Sequence, residues 1–169
     1  MIIFRDCTEI DLIQKPTHMK RIETKLESLE LELAPPKKPV ANYLVAKRFG
    51  NLLFVSGRVS QLRGEVGNTI TRDEAKVAAR DTVLLLLSIV KEVIGDLDLI
   101  VSVEKLQGFV RSAATFTEQP LVIDGASDLL IQLFGENGRH ARTATGVNQL
   151  PFGAAVQLEM ILSLAPVQD

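Results

Sequence analysis

The sequence predicts an α+β domain: a mixed β-sheet with two helices packed on one of its faces. Two long helical patterns stand between short apolar runs, which gives the element order β-β-α-β-α-β-β. The 169 residues are enough for one domain with a sizeable core and too few for two full domains.

Composition and charge exclude several classes of protein. With 46% hydrophobic and 24% charged residues, the chain has the balance of an ordinary globular protein. A net charge of −2 offers no broad basic field for a nucleic-acid backbone, so no nucleic-acid partner is expected. A single cysteine, Cys7, and two histidines, His18 and His140, predict neither a disulfide nor a metal site. The longest apolar run, residues 83–90, is far shorter than the ~20 residues of a membrane span. A cytoplasmic protein with no membrane contact is therefore expected.

The N-terminal part divides at a second methionine. Residues 1–18 are interpreted as an N-terminal extension that arises from an upstream start codon, and residues 19–169 as a single domain. A short amphipathic helix is expected at the start of that domain, where leucine and isoleucine recur at helical spacing at Ile22, Leu26, Leu29 and Leu33. The pair Pro35-Pro36 is expected to end this helix.

The next segments predict a hairpin and a long helix. Apolar runs at 44–46 and 52–56 flank Gly50-Asn51, a pair that is typical of a tight turn. Thr71 and Glu74 have the spacing of a capping box, and Gly95 is the expected end of the helix that they begin.

The second half predicts a strand, a helix and a final hairpin. The strand covers residues 99–110, and Asp124 or Ser127 is the expected N-cap of a helix that Gly135 closes. Two alternating runs then surround the Pro/Gly turn at residues 150–153, which is typical of a hairpin. Helices on one face leave the other face of the sheet bare, so oligomerisation is expected.

The final hairpin region carries a recognisable pattern: His140-Ala141-Arg142-Thr143, then Leu150-Pro151, then Val156-Gln157-Leu158-Glu159. This pattern resembles the C-terminal signature of the RidA/YjgF-like superfamily, also called endoribonuclease L-PSP, whose members have a chorismate-mutase-like fold. The resemblance extends from about residue 19 to the C-terminus, with segments 51–57 and 95–98 in support. It implies a homotrimer with clefts between subunits. It also implies a deaminase that hydrolyses reactive imines or enamines derived from amino acids to 2-oxoacids, with no cofactor.

Two residues are candidates for substrate binding. Arg142 falls on the family's substrate-carboxylate arginine, and a guanidinium can bind a carboxylate through two parallel hydrogen bonds. Tyr43, the only tyrosine, lies seven residues before Gly50, a spacing that matches the family's site tyrosine.

The candidate catalytic position departs from the family. Fifteen residues beyond Arg142, where the deaminating members carry a glutamate, this chain has Gln157. An amide cannot act as a general base, although its carbonyl oxygen can position a water. Glu159 shares that strand face but is displaced by ~6.6 Å. His140 is interpreted as structural.

The predicted hairpin register places Arg142 opposite Ile161 or Leu162, four or five residues from Gln157. Both residues could then contact one ligand only if different subunits supply them or the ribbon bends sharply. Three functions remain open: an imine or enamine hydrolase, a non-catalytic trimeric binder of small carboxylates in which Gln157 marks lost chemistry, and an endoribonuclease, which the acidic balance opposes.

Overall fold

A five-stranded sheet with helices on one face forms the fold in the computed structural model, which describes residues 21–35 and 42–166. The strands are β1 (Ala46–Phe49), β2 (Leu52–Val59), β3 (Ile100–Arg111), β4 (Ala141–Val147) and β5 (Val156–Leu164). The helices are α1 (Arg21–Ser28), α2 (Arg72–Ile94) and α3 (Gln119–Phe134). The α+β class and the order β-β-α-β-α-β-β of the main domain confirm the sequence prediction; the predicted extension, residues 1–18, lies outside the described residues.

The predicted C-terminal hairpin is wrong. The strands lie in the order β1-β2-β5-β3-β4, so β3 separates β4 from β5. β4 pairs parallel to β3, whereas the other pairings among these five strands are antiparallel. The connection after β4 therefore carries the chain past β3 before β5 begins, and it turns at Phe152 and Gly153, both of which have positive φ.

The side-chain patterns of the two strands agree with this arrangement. Along β5, buried and half-buried residues alternate over the whole strand, as expected of a central strand with a helix-covered face. β4 has no fully buried residue, as expected of an edge strand. In the sequence, the greater apolar content of β5 distinguishes this central strand from the edge strand β4.

The long helix α2 follows its predicted boundaries. The Thr71 hydroxyl accepts a hydrogen bond from the Glu74 amide, and the Glu74 carboxylate accepts one from the Thr71 amide, which is a complete capping box. The Thr71 hydroxyl also donates to the Glu74 carboxylate, at 2.7 Å. The hydrogen bonds that this carboxylate accepts from the Thr71 hydroxyl and amide lower the pKa of Glu74. Gly95 ends the helix with a φ of 83°.

Three element boundaries differ from the prediction. α1 ends at Ser28, before Pro35-Pro36, because Glu30 adopts a left-handed conformation with a φ of 55°. β1 begins only at Ala46 and continues through polar residues, which an edge strand tolerates.

The third difference concerns α3, whose first residue is Gln119. Pro120 occupies the first turn, where its missing N–H costs nothing. Asp124 and Ser127 are thus interior residues of the helix and do not cap it. The predicted stop at Gly135 is confirmed, with a φ of 64°.

Helices α2 and α3 cover one face of the sheet, and we call the opposite face the open face. Its apolar members include Phe54, Phe109 and Ile161, which are exposed or half-buried in the single chain. No described helix is long and apolar enough to cross a bilayer.

The contact between α2 and α3 depends on Gly125. A Cβ atom at this position would collide with the Lys76 carbonyl oxygen on α2. We expect Gly125→Ala to lower the free energy of unfolding by about 2 kcal/mol, because the backbone clash outweighs the gain in helix propensity of ~1 kcal/mol. Urea denaturation measures the change, with Gln132→Ala on the exposed side of α3 as the control. An unchanged unfolding midpoint for Gly125→Ala would contradict the close approach.

Candidate functional site

Tyr43 and Gln157, two residues singled out in the sequence, line one cavity of about 260 Å³ at the end of the sheet beside β2. We call it the Tyr43–Gln157 cavity. Its wall combines β2, the loop after β2, one residue of α2 and the connection before β5: Tyr43, Gly57, Arg58, Val59, Ser60, Gln61, Arg63, Leu85, Pro151, Phe152 and Gln157.

The cavity forms where the pairing of β2 changes. β1 pairs with β2 only as far as Val55, and a β-bulge follows between Val55 and Arg58. Bulges redirect side chains and are common beside active sites. A Cβ atom on Gly57 would lie 2.8 Å from the Gln157 amide nitrogen, so the glycine leaves room for that amide.

Arg58 is a residue of this cavity that the sequence analysis missed. Its Nη1 donates hydrogen bonds to the Tyr43 hydroxyl at 2.7 Å and to the Gly57 carbonyl oxygen at 3.4 Å. Its Nε and Nη2 atoms are buried and have no hydrogen-bond partner among the described residues. The signal in the sequence was its position directly after Gly57, the last residue of the segment 51–57 that supports the family resemblance.

Two further arginines surround the connection before β5. Arg63 Nη1 donates to the Phe152 carbonyl oxygen at 2.8 Å, and Arg111 Nη1 donates to the Gly153 carbonyl oxygen at 3.4 Å. Among the described residues, no carboxylate forms an ion pair with Arg58, Arg63 or Arg111. This end of the sheet therefore carries uncompensated positive charge in a chain whose net charge is −2.

Arg142 lies elsewhere. It pairs with Leu106 on β3, which places its side chain on the helix-covered face. Its Nη1 donates to the Asp124 carboxylate at 2.6 Å and to the Ser127 hydroxyl at 3.2 Å. Gln157 belongs to the opposite face, so one chain does not bring the predicted carboxylate-binding arginine and the predicted catalytic position together.

Glu159 is also outside the cavity. It lies on the open face, where it accepts a short hydrogen bond from the Gln107 amide. A separate depression of about 280 Å³ contains it, together with Lys47 and Lys105. The structure thus places Glu159 with other polar residues of the open face and apart from Tyr43.

His140 joins the start of β4 to α3. Its Nδ1 lies 2.6 Å from the Gly138 carbonyl oxygen and its Nε2 lies 3.1 Å from the Ser127 hydroxyl. Burial lowers the pKa of His140 and the charge of Arg142 lowers it further, against an opposing effect of the hydrogen bond to Gly138. These contacts agree with the structural role expected for it.

In the described part of the chain, no three His, Cys, Asp or Glu side chains lie close enough together to bind a metal ion.

Fold and site together define an α+β protein with a small, positively charged cavity at one end of its sheet. The chain belongs to the YjgF/chorismate mutase-like family, whose description adds "putative endoribonuclease"; the match covers residues 23–162.

Relatives of the chain agree with this membership. Protein TCP17 of Trypanosoma cruzi is 40% identical over 151 residues, which span 85% of this chain and 94% of that protein. A crystal structure of a protein of unknown function from Agrobacterium tumefaciens is 39% identical, with a TM-score of 0.81 over 86% of this chain and 93% of that one. RidA from an Antarctic Psychrobacter is similar in fold, with 23% identity and a TM-score of 0.53 over 78% of this chain and 94% of its own.

The lowered pKa of His140 predicts a pH-dependent stability. As pH falls below about 6.5, His140 becomes protonated in the unfolded chain but stays neutral to a lower pH in the folded chain. The free energy of unfolding therefore decreases. We expect this loss between pH 7.5 and pH 5.5 to be smaller in His140→Asn than in the wild type, as measured by urea denaturation at both pH values. Equal losses in the two proteins would show that His140 does not contribute.

Proposed function

We propose that this protein hydrolyses small carboxylate-bearing imines or enamines to 2-oxoacids in the Tyr43–Gln157 cavity. The observation that carries the proposal is that Tyr43 and Gln157, which lie 114 positions apart in the chain, line one cavity. The same cavity contains two arginines that have no carboxylate partner among the described residues. Membership of the YjgF/chorismate mutase-like family supports the same chemistry through the resemblance to RidA.

The cavity offers groups for positioning a water molecule. The Gln157 carbonyl oxygen can accept a hydrogen bond from water, and the Tyr43 hydroxyl, which already accepts one from Arg58, keeps its own hydrogen for donation. Water adds to the imine carbon, the nitrogen takes up protons, and ammonia leaves as the carbonyl of the 2-oxoacid forms. An enamine first gains a proton on carbon and loses one from nitrogen, which converts it to the imine. Because imines are already electrophilic, positioning can supply much of the acceleration without a protein general base.

The carboxylate of the substrate needs a cation, and the family resemblance assigns this role to Arg142. In a single chain Arg142 is bound by Asp124 on the far side of the sheet from Gln157. We therefore propose that Arg142 contributes from a neighbouring subunit. Its ion pair with Asp124 must then loosen when the ligand binds.

A homotrimer would supply such a neighbour. Proteins of this family form homo-oligomers, and the open face exposes apolar side chains that a second subunit would cover. We propose that this face lies at the subunit interface and that the ligand-binding clefts lie between subunits.

A non-catalytic binder is the second candidate, and Gln157 favours it. Without a carboxylate at this position the protein could capture a 2-oxoacid or a related carboxylate and leave it unchanged. RNA cleavage, which the family description mentions, has less support because the net charge is −2.

Imine hydrolysis separates these candidates. An amino-acid oxidase generates the imine from its amino acid, and trapping of the residual imine measures the rate at which each variant removes it. We expect wild-type protein to accelerate hydrolysis and Gln157→Ala to lower kcat about tenfold, because the water loses its acceptor. Arg142→Ala should raise KM, and Arg21→Gln, at an exposed arginine of α1, should change neither constant.

Other outcomes would overturn the hydrolase. An inactive wild type together with an active Gln157→Glu would leave the binder as the function. RNA cleavage that persists through purification and disappears in Gln157→Ala would contradict both small-molecule functions.

The oligomer is tested by light scattering. We expect a mass about three times the 18.5 kDa of one chain. Ile161→Lys should shift the protein towards the monomer, because a charge would replace an apolar contact at the centre of the interface. Val93→Lys on the exposed side of α2 is the matched control. A monomeric wild type would contradict the interface.

A further inference from the structure

The charge of the Tyr43–Gln157 cavity indicates what kind of ligand it accepts. Among the described residues that line it, the charged ones are Arg58 and Arg63, and no aspartate or glutamate is present. Both guanidinium groups lack a carboxylate partner in the described part of the chain. Two positive charges in one small cavity favour a ligand with two negative charges.

Arg58 has two hydrogen-bond donors without an acceptor among the described residues, and a carboxylate could satisfy both. Its Nη1 is occupied by Tyr43, whereas Nε and Nη2, which form the side edge of the guanidinium, are buried without partners. Buried donors without acceptors destabilise the empty protein. A carboxylate has two oxygens that match this edge, so a small rotation of the side chain towards the cavity would satisfy both donors at once.

Arg63 is held at a different point of the cavity wall. Its Nη1 donates to the Phe152 carbonyl oxygen, which fixes the guanidinium against the connection before β5. A neutral carbonyl leaves the charge of Arg63 uncompensated. The remaining donors of its guanidinium are therefore available to a second anionic group.

The neighbouring groove would not attract such a group. This groove of about 590 Å³ shares Val59, Ser60, Gln61 and Leu85 with the cavity, but its charged lining residues are Glu74 and Asp81. Carboxylates there repel an anion. A doubly charged ligand is therefore confined to the side lined by arginine.

We propose that the Tyr43–Gln157 cavity binds dicarboxylates, with one carboxylate shared between Arg58 and the Arg142 that a neighbouring subunit contributes, and the other at Arg63, so that its substrates are imines derived from acidic amino acids. The identity of the substrate as an imine rests on the proposed hydrolase function, whereas the preference for a dicarboxylate follows from the cavity. Gln157 is compatible with this preference, since an amide leaves both arginines uncompensated.

Isothermal titration calorimetry with two five-carbon probes tests the preference. 2-Oxoglutarate carries two carboxylates, and 2-oxopentanoate has the same chain length with one. We expect the wild type to bind 2-oxoglutarate at least about tenfold more tightly, as one additional charge-assisted hydrogen-bond pair provides. Arg58→Gln and Arg63→Gln should each reduce that ratio to about threefold or less, and Arg21→Gln should preserve it.

The outcomes separate this inference from the proposed function. Equal wild-type affinity for the two probes, or a ratio that persists in both cavity variants, overturns the dicarboxylate inference even where imine hydrolysis is observed. A clear preference for 2-oxoglutarate in a protein that hydrolyses no imine supports the cavity assignment and overturns the hydrolase. The wild-type comparison decides the question even where a variant fails to fold.

Discussion

The insertion of β5 between β2 and β3 is the constraint on which the rest of the structure depends. The backbone of β5 pairs with β2 along one edge and with β3 along the other, so the two halves of the sheet meet through it. Its first residues bring Gln157 beside Gly57, at the point where the bulge in β2 opens the cavity. The same insertion displaces β4 to the edge of the sheet, where Arg142 contacts α3.

Arg142 and Arg58 differ in whether a carboxylate of the described residues already pairs with the guanidinium. Arg142 has a carboxylate at hydrogen-bond distance, and a ligand must compete with that carboxylate to bind it. Arg58 has no such partner among the described residues and has two buried donors without acceptors, so a ligand carboxylate would meet no internal competitor. Ligand binding at Arg58 therefore removes an existing cost, whereas ligand binding at Arg142 replaces one ion pair with another.

Local signals in the sequence predicted local structure well. The capping box at Thr71 and the glycine ends of both long helices are encoded within a few residues, and each was found. The pairing of β4 with β3 depends on contacts far apart in the chain, and adjacent alternating runs resemble a hairpin whether or not a third strand lies between them. Arg58 was missed for a related reason: only the folded chain shows that its Nε and Nη2 atoms are buried without a hydrogen-bond partner among the described residues.

Gln157 links the chemistry to the charge of the cavity. A glutamate at this position would lie in the same cavity as Arg58 and Arg63 and would neutralise part of their charge, in competition with a ligand carboxylate. An amide cannot accept a proton from water, but it does not neutralise the two arginines, which can then bind a ligand. Its carbonyl oxygen can still position a water. In the proposed function, the same departure that weakens base catalysis would strengthen anion binding. For the proposed substrate, an electrophilic and doubly charged imine, firm placement would be the larger requirement, and an amide at position 157 is compatible with it.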